Sequence, residues 1–356
     1  MRAAVWHARH DIRIEEFPDP GSPAPDEVRL RISWCGICGT DLEEYTHGPL
    51  FIPPADKPNP ITGRHAPMVI GHEFVGAVIK AGSAVTDLKV GDRVAVDTLI
   101  HCGDCDFCKR HQVHLCERLA IMGLMTDGGL AEYINAPRYM CFKYADGLSD
   151  AHAALAEPAA VAVRSARRGR LVPGETVVIV GAGNIGLLTV EVARAMGAER
   201  VIVLEPAESR RKVALALGAS AAIDPADGDP ISAVKRLTGG RGADVVFECA
   251  GVISTMSLVP ELARRAGRIV LVGLHDAPVP IRLVSVVTGE QELIGSFSHV
   301  YDEDFSTAVE MLSAGQIVSE PLITAQIGLK DLVRCGLDEL SSSKDQHLKI
   351  LVSPEG

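Results

Sequence analysis

Apolar residues follow two different rhythms along the chain. At residues 3–6, 12–15 and 28–34 they alternate with polar ones, the period of a strand with one buried face. Pro18, Pro20, Gly21, Pro23 and Pro25 punctuate the turns between these runs. Alternation returns at 75–80 and again at 91–96, whereas 48–67 is rich in Pro and Gly and reads as a long irregular loop. Beyond residue 176 the rhythm changes. Short continuous apolar runs at 177–180 and 201–204, and further strands expected at 221–223, 244–249, 268–272 and 293–297, alternate with helix-period stretches at 187–196, 207–217, 231–237 and 254–262. Continuous runs suit strands buried on both faces. Their regular alternation with helices predicts an α/β unit built on a parallel, doubly wound sheet.

Residues 151–168 read as two helical pieces meeting at Glu157-Pro158, because proline starts a helix well and interrupts one badly. That is the natural seam between domains. Amphipathic helices are expected at 302–315 and 329–340, and a closing strand at 347–352. The apolar stretch 278–287, near the edge of the sheet, reads either as a contact strand between subunits or as a covered loop within one chain.

The chain has 356 residues, more than one core usually serves, which makes two domains the default. A net charge of −11, from 35 basic and 46 acidic residues, argues against nonspecific nucleic-acid binding. No apolar run approaches the roughly 20 residues of a membrane span. The first residues lack an apolar signal core, which points to a cytoplasmic protein. A small-molecule partner is the expectation that remains.

Specific chemistry enters with Gly181-Ala-Gly183-Asn184-Ile185-Gly186, between an apolar run and a helix-period stretch. Gly181 permits a tight turn, Gly183 lets backbone approach a pyrophosphate, and Gly186 lets helix and strand pack closely. The helix N-terminus then offers free N–H groups and positive dipole to phosphates. Glu205 ends the next strand nineteen positions after Gly186, where a carboxylate can accept from an adenosine ribose. The expected cofactor is NAD, since a 2′-phosphate would meet that carboxylate. Arg210 and Arg211 follow in the next helix, where either can hold a phosphate, stack on adenine or pair with Glu205 or Glu208. The turns 249–251, Val272-Gly-Leu274 and Ser296-Phe-Ser298, at carboxyl ends of strands, should line the cofactor.

Four of nine cysteines fall within fifteen positions. Cys102, Cys105, Cys108 and Cys116 can close a tetrahedron around Zn2+ with no open position, which makes a structural site. Two disulfides are the alternative, and a reducing compartment disfavours them. A nucleic-acid zinc ribbon would come with a basic surface, but Asp104, Asp106 and Glu117 sit among Lys109 and Arg110. Cys35, Cys141, Cys249 and Cys335 have no motif partners and read as core or incidental thiols.

The order of motifs resembles the zinc-dependent medium-chain alcohol and polyol dehydrogenases. It runs Cys38, Gly71-His72-Glu73, the four cysteines, Glu157-Pro158 and the glycine turn. Within that family, Glu44-Tyr45 followed by Gly48-Pro-Leu-Phe-Ile-Pro53 is most similar to the 2,3-butanediol dehydrogenases. Sorbitol, xylitol and threonine dehydrogenases look more distant. The resemblance implies a distorted, GroES-like β-barrel for 1–160 and 299–356, interrupted by a Rossmann domain at 161–298. It implies that Cys38 and His72 hold a catalytic Zn2+, with Glu73 or Glu157 binding directly or through water. It also implies Thr40 as proton acceptor from an alcohol, Lys349 as a late basic residue meeting cofactor phosphate, and a homodimer or homotetramer. Many relatives carry a histidine five positions after the cysteine. This chain has Glu43 there, which leaves Glu43, His47, His65 or a water to finish the proton route. Asp41 reads as a capping residue of the turn. A non-catalytic dinucleotide-binding scaffold is the contrasting class; it could lose Cys38 or His72 while keeping the glycines.

Overall fold

The computed structural model describes residues 1–275, 277–343 and 346–354. These divide into two compact units. The first comprises Met1–Glu157, Val300–Ser313 and the chain from Ile323 on; the second comprises Pro158–His299 and Ala314–Leu322.

The first unit begins with β1 (Arg2–Ala8) and β2 (Asp11–Glu16), paired antiparallel, and Met68–Val69 adds to β1. Then come β3 (Glu27–Gly36), helix α1 (Gly39–His47), β4 (Glu73–Ala81), β5 (Arg93–Val96), β6 (Tyr133–Pro137) and β7 (Cys141–Lys143). The long β3 pairs with β4 along one edge and β6 along the other. Its alternating residues Val28, Leu30 and Ile32 are buried, beside Met68, Ile70, Phe74 and Leu130. Burial of one face of each strand is what closes this antiparallel layer into a distorted barrel.

Helix α2 (Ala156–Arg168) carries Glu157 and Pro158 in its first turn, where proline costs no hydrogen bond. The second unit then alternates as β8 (Thr176–Val180), α3 (Asn184–Ala195), β9 (Arg200–Leu204), α4 (Glu208–Ala216), β10 (Ala221–Ile223), α5 (Pro230–Leu237), β11 (Ala243–Glu248) and β12 (Ala263–Leu271). Helix α6 (Leu283–Gly289) and β13 (Glu292–Gly295) complete it. The strands form one parallel sheet in the order β10-β9-β8-β11-β12-β13. All five residues of β8 are buried, as a central strand requires. The order reverses between β8 and β11, which opens the crevice where doubly wound sheets take ligands.

Four expected elements differ. The helix expected at 254–262 is two pieces, Ile253–Met256 and Val259–Leu262, with Pro260 starting the second. The stretch at 278–287 supplies no strand; its end is helix α6, and the sheet edge is β13. Side chains tether α6 where a ladder would otherwise be needed: Ser285 Oγ donates to Glu261, and the Gln291 amide donates to the carbonyls of Pro260, Ala263 and Arg264. The helix expected at 302–315 begins as a wider π turn, Tyr301–Phe305, and that at 329–340 as a tight 3-10 turn, Leu329–Asp331, followed by a π turn, Leu332–Leu337, before each continues as α-helix.

The chain returns to the first unit through β14 (Ile323–Gly328) and β15 (Lys349–Ser353), parallel to each other. Antiparallel pairing of β15 with β3 places Leu351 opposite Gly36 and Val352 opposite Cys35. Residues 314–322, expected in this return, pack with the second unit instead. Their Val318 N–H donates to Glu191 Oε1 of α3 at 2.6 Å, and Ile317 and Ser319 are buried. Among the described residues, no helix is long and apolar enough to cross a membrane.

Candidate metal and dinucleotide sites

Cys38 lies where β3 gives way to α1, at the N-cap of that helix. Its backbone N–H donates to Asp41 Oδ2 at 2.9 Å, so the turn is held by its own capping carboxylate. His72 and Glu73 come from the start of β4, which pairs Glu73 with Gly36 of β3. The sheet register therefore brings the two segments together. Ligand atoms of Cys38, His72 and Glu73 all lie within 4.8 Å of one another.

The chemistry of this donor set fits a cation. His72 is buried, and its Nδ1 faces Asp41 Oδ1 at 3.4 Å. Neither of those atoms makes a hydrogen bond. Burial works against an imidazolium, but the Asp41 carboxylate and Cys38 outweigh it and hold the His72 pKa well above its ordinary value. A cation relieves that excess of negative charge. With Nδ1 turned to a carboxylate, Nε2 is left for the metal, the usual second support of a ligating histidine. Thiolate, imidazole and carboxylate with a fourth position open are the ligands of a catalytic zinc site. Asp41 thus does more than cap; its spacing of three from Cys38 was the available signal, and a capping role accounted for it fully.

Glu73 and Lys349 were expected at different sites and meet at one. Lys349 opens β15, is 3% exposed, and donates to Glu73 Oε2 at 2.5 Å and to the Ile37 carbonyl at 3.0 Å. Burial opposes its charge, but Glu73, Cys38 and Glu157 hold its pKa above the ordinary lysine value. The ammonium expected to meet a cofactor phosphate is thus turned inward, onto a carboxylate and a backbone carbonyl. Glu157 is outside the cluster of mutually close ligand atoms, yet near enough for its charge to act on Lys349.

Thr40 Oγ1 lies 3.8 Å from Cys38 Sγ in the first turn of α1. Glu43 and His47 follow at helical spacing and are exposed, with His47 Nδ1 2.8 Å from Thr46 Oγ1. His65 Nδ1 instead sits 2.6 Å from the neighbouring Ala66 carbonyl. Glu44, on the opposite face, is fully buried, and its carboxylate accepts the N–H groups of Leu50, Phe51 and Ile52. The loop after α1 is thereby hung from the helix that begins at Cys38.

The four clustered cysteines form a separate lobe. Sulfur separations are 3.4 Å for Cys105–Cys108, 3.9 Å for Cys102–Cys108 and 4.0 Å for Cys105–Cys116. A tetrahedral Zn2+ with bonds of about 2.3 Å spaces its sulfurs by about 3.8 Å. These separations fit, and they are far too long for a disulfide. The N–H groups of Cys102 and Arg118 point at Cys116 Sγ from 3.3 and 3.4 Å, which suits a thiolate.

In the second unit the three glycines have different reasons. Gly181 has φ +95°, and a Cβ there would press on Ala250. At Gly186 a Cβ would overlap the Gly181 carbonyl, whereas at Gly183 it would meet open space. A ligand is what Gly183 leaves room for, at the N-cap of the twelve-residue α3 whose first turn includes Asn184 and Ile185. Glu205 follows β9 and is buried; Oε2 accepts from Ala182 N–H at 2.7 Å and Oε1 from Ala207 N–H at 3.0 Å. The carboxylate is thus fixed against the glycine turn with lone pairs to spare. Arg211 is tied to the Glu205 carbonyl and to Asp224, each at 2.8–2.9 Å. Val272, Leu274 and Ser296 lie just beyond β12 and β13, on the carboxyl side of the sheet.

Residues 184–314 match the family described as zinc-binding dehydrogenase, and residues 24–146 match the alcohol dehydrogenase GroES-like domain. The chain is 36% identical to an (R,R)-butanediol dehydrogenase of Neisseria gonorrhoeae, covering 99% of both chains. It is 33% identical to a sorbitol dehydrogenase of Bacillus subtilis, covering 99% and 97%. The crystal structure of 2R,3R-butanediol dehydrogenase from Bacillus subtilis superposes with a TM-score of 0.92 at 35% identity, over 99% of each chain. A structure from Sinorhizobium meliloti 1021 described as a zinc-binding dehydrogenase and bound to NADP gives 0.88 at 32% identity, again over 99% of each.

Proposed function

The chain belongs to the zinc-binding dehydrogenase family, and from that premise we propose that it moves hydride between a vicinal diol, 2,3-butanediol in particular, and NAD. The observation that carries this reading is the convergence of the ligand atoms of Cys38, His72 and Glu73 within 4.8 Å of one another. Zinc held there supplies Lewis-acid stabilisation of an alcohol oxygen as it loses its proton, and NAD supplies the hydride acceptor.

The chain's own groups do the rest. Cys38 and His72 hold the metal, and Asp41 keeps the His72 ring in one orientation. Thr40 takes the alcohol proton, and Glu43, three residues on and exposed, passes it to solvent where relatives use a histidine. Lys349 pins Glu73 in place. Cys102, Cys105, Cys108 and Cys116 hold a second, structural zinc. Glu205 selects NAD. A 2′-phosphate carries a charge of roughly −1.5 to −2, and like charges a few ångströms apart cost on the order of 4 kcal/mol at intermediate dielectric.

The exposed edge of β13, with Leu283, Val284 and Val287 more than half exposed on α6, supports a homodimer or homotetramer. A cytoplasmic location accords with this chemistry.

The test is a panel of butanediol stereoisomers, sorbitol, xylitol and threonine with NAD, followed by NADH absorbance. We expect the highest kcat/KM for a 2,3-butanediol. The 33% identity to a sorbitol dehydrogenase supports a second reading, polyol oxidation, which wins if sorbitol or xylitol is preferred. No turnover of any alcohol by zinc-loaded protein would leave a non-catalytic scaffold.

A further inference from the structure

The strand order locates the two halves of a bound dinucleotide. Phosphates belong at the N-terminus of α3 after β8, and Glu205 after β9 marks the adenosine side. The other half must therefore pass over the carboxyl ends of β11 and β12. Between those two ends lies a buried polar cluster that no family motif accounts for.

Its centre is Glu248, the last residue of β11, which is fully buried. Oε1 accepts from Ala250 N–H at 3.1 Å, Gly251 N–H at 3.0 Å and Thr255 Oγ1 at 2.8 Å. Oε2 is met by Gly251 N–H at 3.4 Å and by His275 Nε2, also at 3.4 Å. Space for the carboxylate exists because residue 273 is glycine; a Cβ there would strike Gly251 and Glu248 Oε2. The turns after β11 and β12 are thus locked together around one carboxylate. His275 is mostly covered, and neither ring nitrogen has a hydrogen-bond partner among the described residues. A buried polar group left so costs stability unless a ligand completes it.

We infer that His275 binds the nicotinamide-side ribose of the cofactor, a role that rests on the dinucleotide reading above. Glu248 is acceptor-only, so the nitrogen facing it is the one that carries the proton. Nδ1 is left as a lone-pair acceptor. Its ligand must be a hydrogen-bond donor, which a ribose hydroxyl is and a phosphate is not. The 3.4 Å separation from Glu248 shortens to a hydrogen bond when the ring engages, as polar contacts in ligand-free sites do.

Equilibrium binding of three ligands to the intact wild-type chain and to His275→Ala tests this. ADP lacks the second ribose, ADP-ribose has it, and NADH adds the nicotinamide. The expected result is about a tenfold loss for ADP-ribose and NADH, equivalent to about 1.4 kcal/mol, with ADP unchanged. His275→Asn, which keeps an acceptor near Nδ1, should recover most of the loss. Three results overturn the inference: no change for any ligand, a loss for NADH alone, or an equal loss for all three, which marks a merely structural role. Failure of the wild type to bind NADH at all would instead strike the dinucleotide reading itself.

Discussion

The ammonium of Lys349 lies 2.5 Å from the Glu73 carboxylate, and both side chains are at least 97% buried. Removing one partner leaves a buried charge uncompensated, which costs about 3–5 kcal/mol. Lys349→Met should therefore lower the urea midpoint markedly. Adding Glu73→Gln to that variant should restore much of it, because no bare carboxylate remains. A single variant as stable as wild type would show that the pair is held apart by solvent or metal.

Metal analysis separates the two cysteine sets. The wild type should hold two zinc ions per chain. Cys38→Ser should keep one, lose turnover and still bind NADH. Cys105→Ala should lose stability or assembly before chemistry, because structural zinc contributes directly to folding. A thermally unchanged Cys105 variant that is merely inactive contradicts the assignment.

Cofactor choice can be read as a ratio. Glu205→Ser removes the repulsion of a 2′-phosphate and should raise the NADP/NAD ratio of kcat/KM by more than tenfold. Absolute NAD efficiency should also fall, since Glu205 accepts the Ala182 N–H inside the glycine turn. Equal use of both cofactors by the wild type would remove the role given to Glu205.

Stability should depend on Glu191 in a direction opposite to most carboxylates. Burial pushes its pKa up from 4.5 to about 7, and the Val318 N–H only partly offsets this. Between those values the folded chain holds more protons than the unfolded one, so stability falls as pH rises through the window. At pH 8 the whole penalty, up to roughly 3 kcal/mol, is in force. Glu191→Gln keeps an acceptor for Val318 and should be more stable than wild type at pH 8, with the advantage gone near pH 4.5. An advantage that does not shrink on acidification would rule out this origin.

Periodicity sufficed for the strands at 177–180 and 201–204 and the helix between them, because each strand is a continuous apolar run that needs nothing from elsewhere in the chain. The metal cluster was legible as motifs, Cys38 and Gly71-His72-Glu73, but their distances depend on the register of β3 with β4, which no local pattern encodes. The burial of Lys349 was hidden for the same reason: a lysine late in the sequence looks exposed until β15 is known to pair with β3. Glu44 stood in a family-like motif with no role attached to it, and His275 lay outside every motif. Each acts through backbone that folds back upon it, and such contacts leave no spacing to read. The helix at 283–289 was hidden because Val284, Val286 and Val287 favour strands, and the tethers from Ser285 and Gln291 decide otherwise.

The path of the chain also sets an order of events during synthesis. A ribosome delivers residues in sequence, and domains condense as their parts emerge. Every strand of the parallel sheet has appeared by residue 295, and its last packed segment ends at Leu322. Glu73 emerges early, but its counter-charge comes 276 residues later, at the start of β15. The nucleotide fold can thus be complete while the first-made unit still lacks β14, β15 and the ammonium at its metal site. A nascent chain stalled or trimmed before residue 349 would carry a finished nucleotide fold beside an unfinished barrel, with Glu73 still without its ammonium.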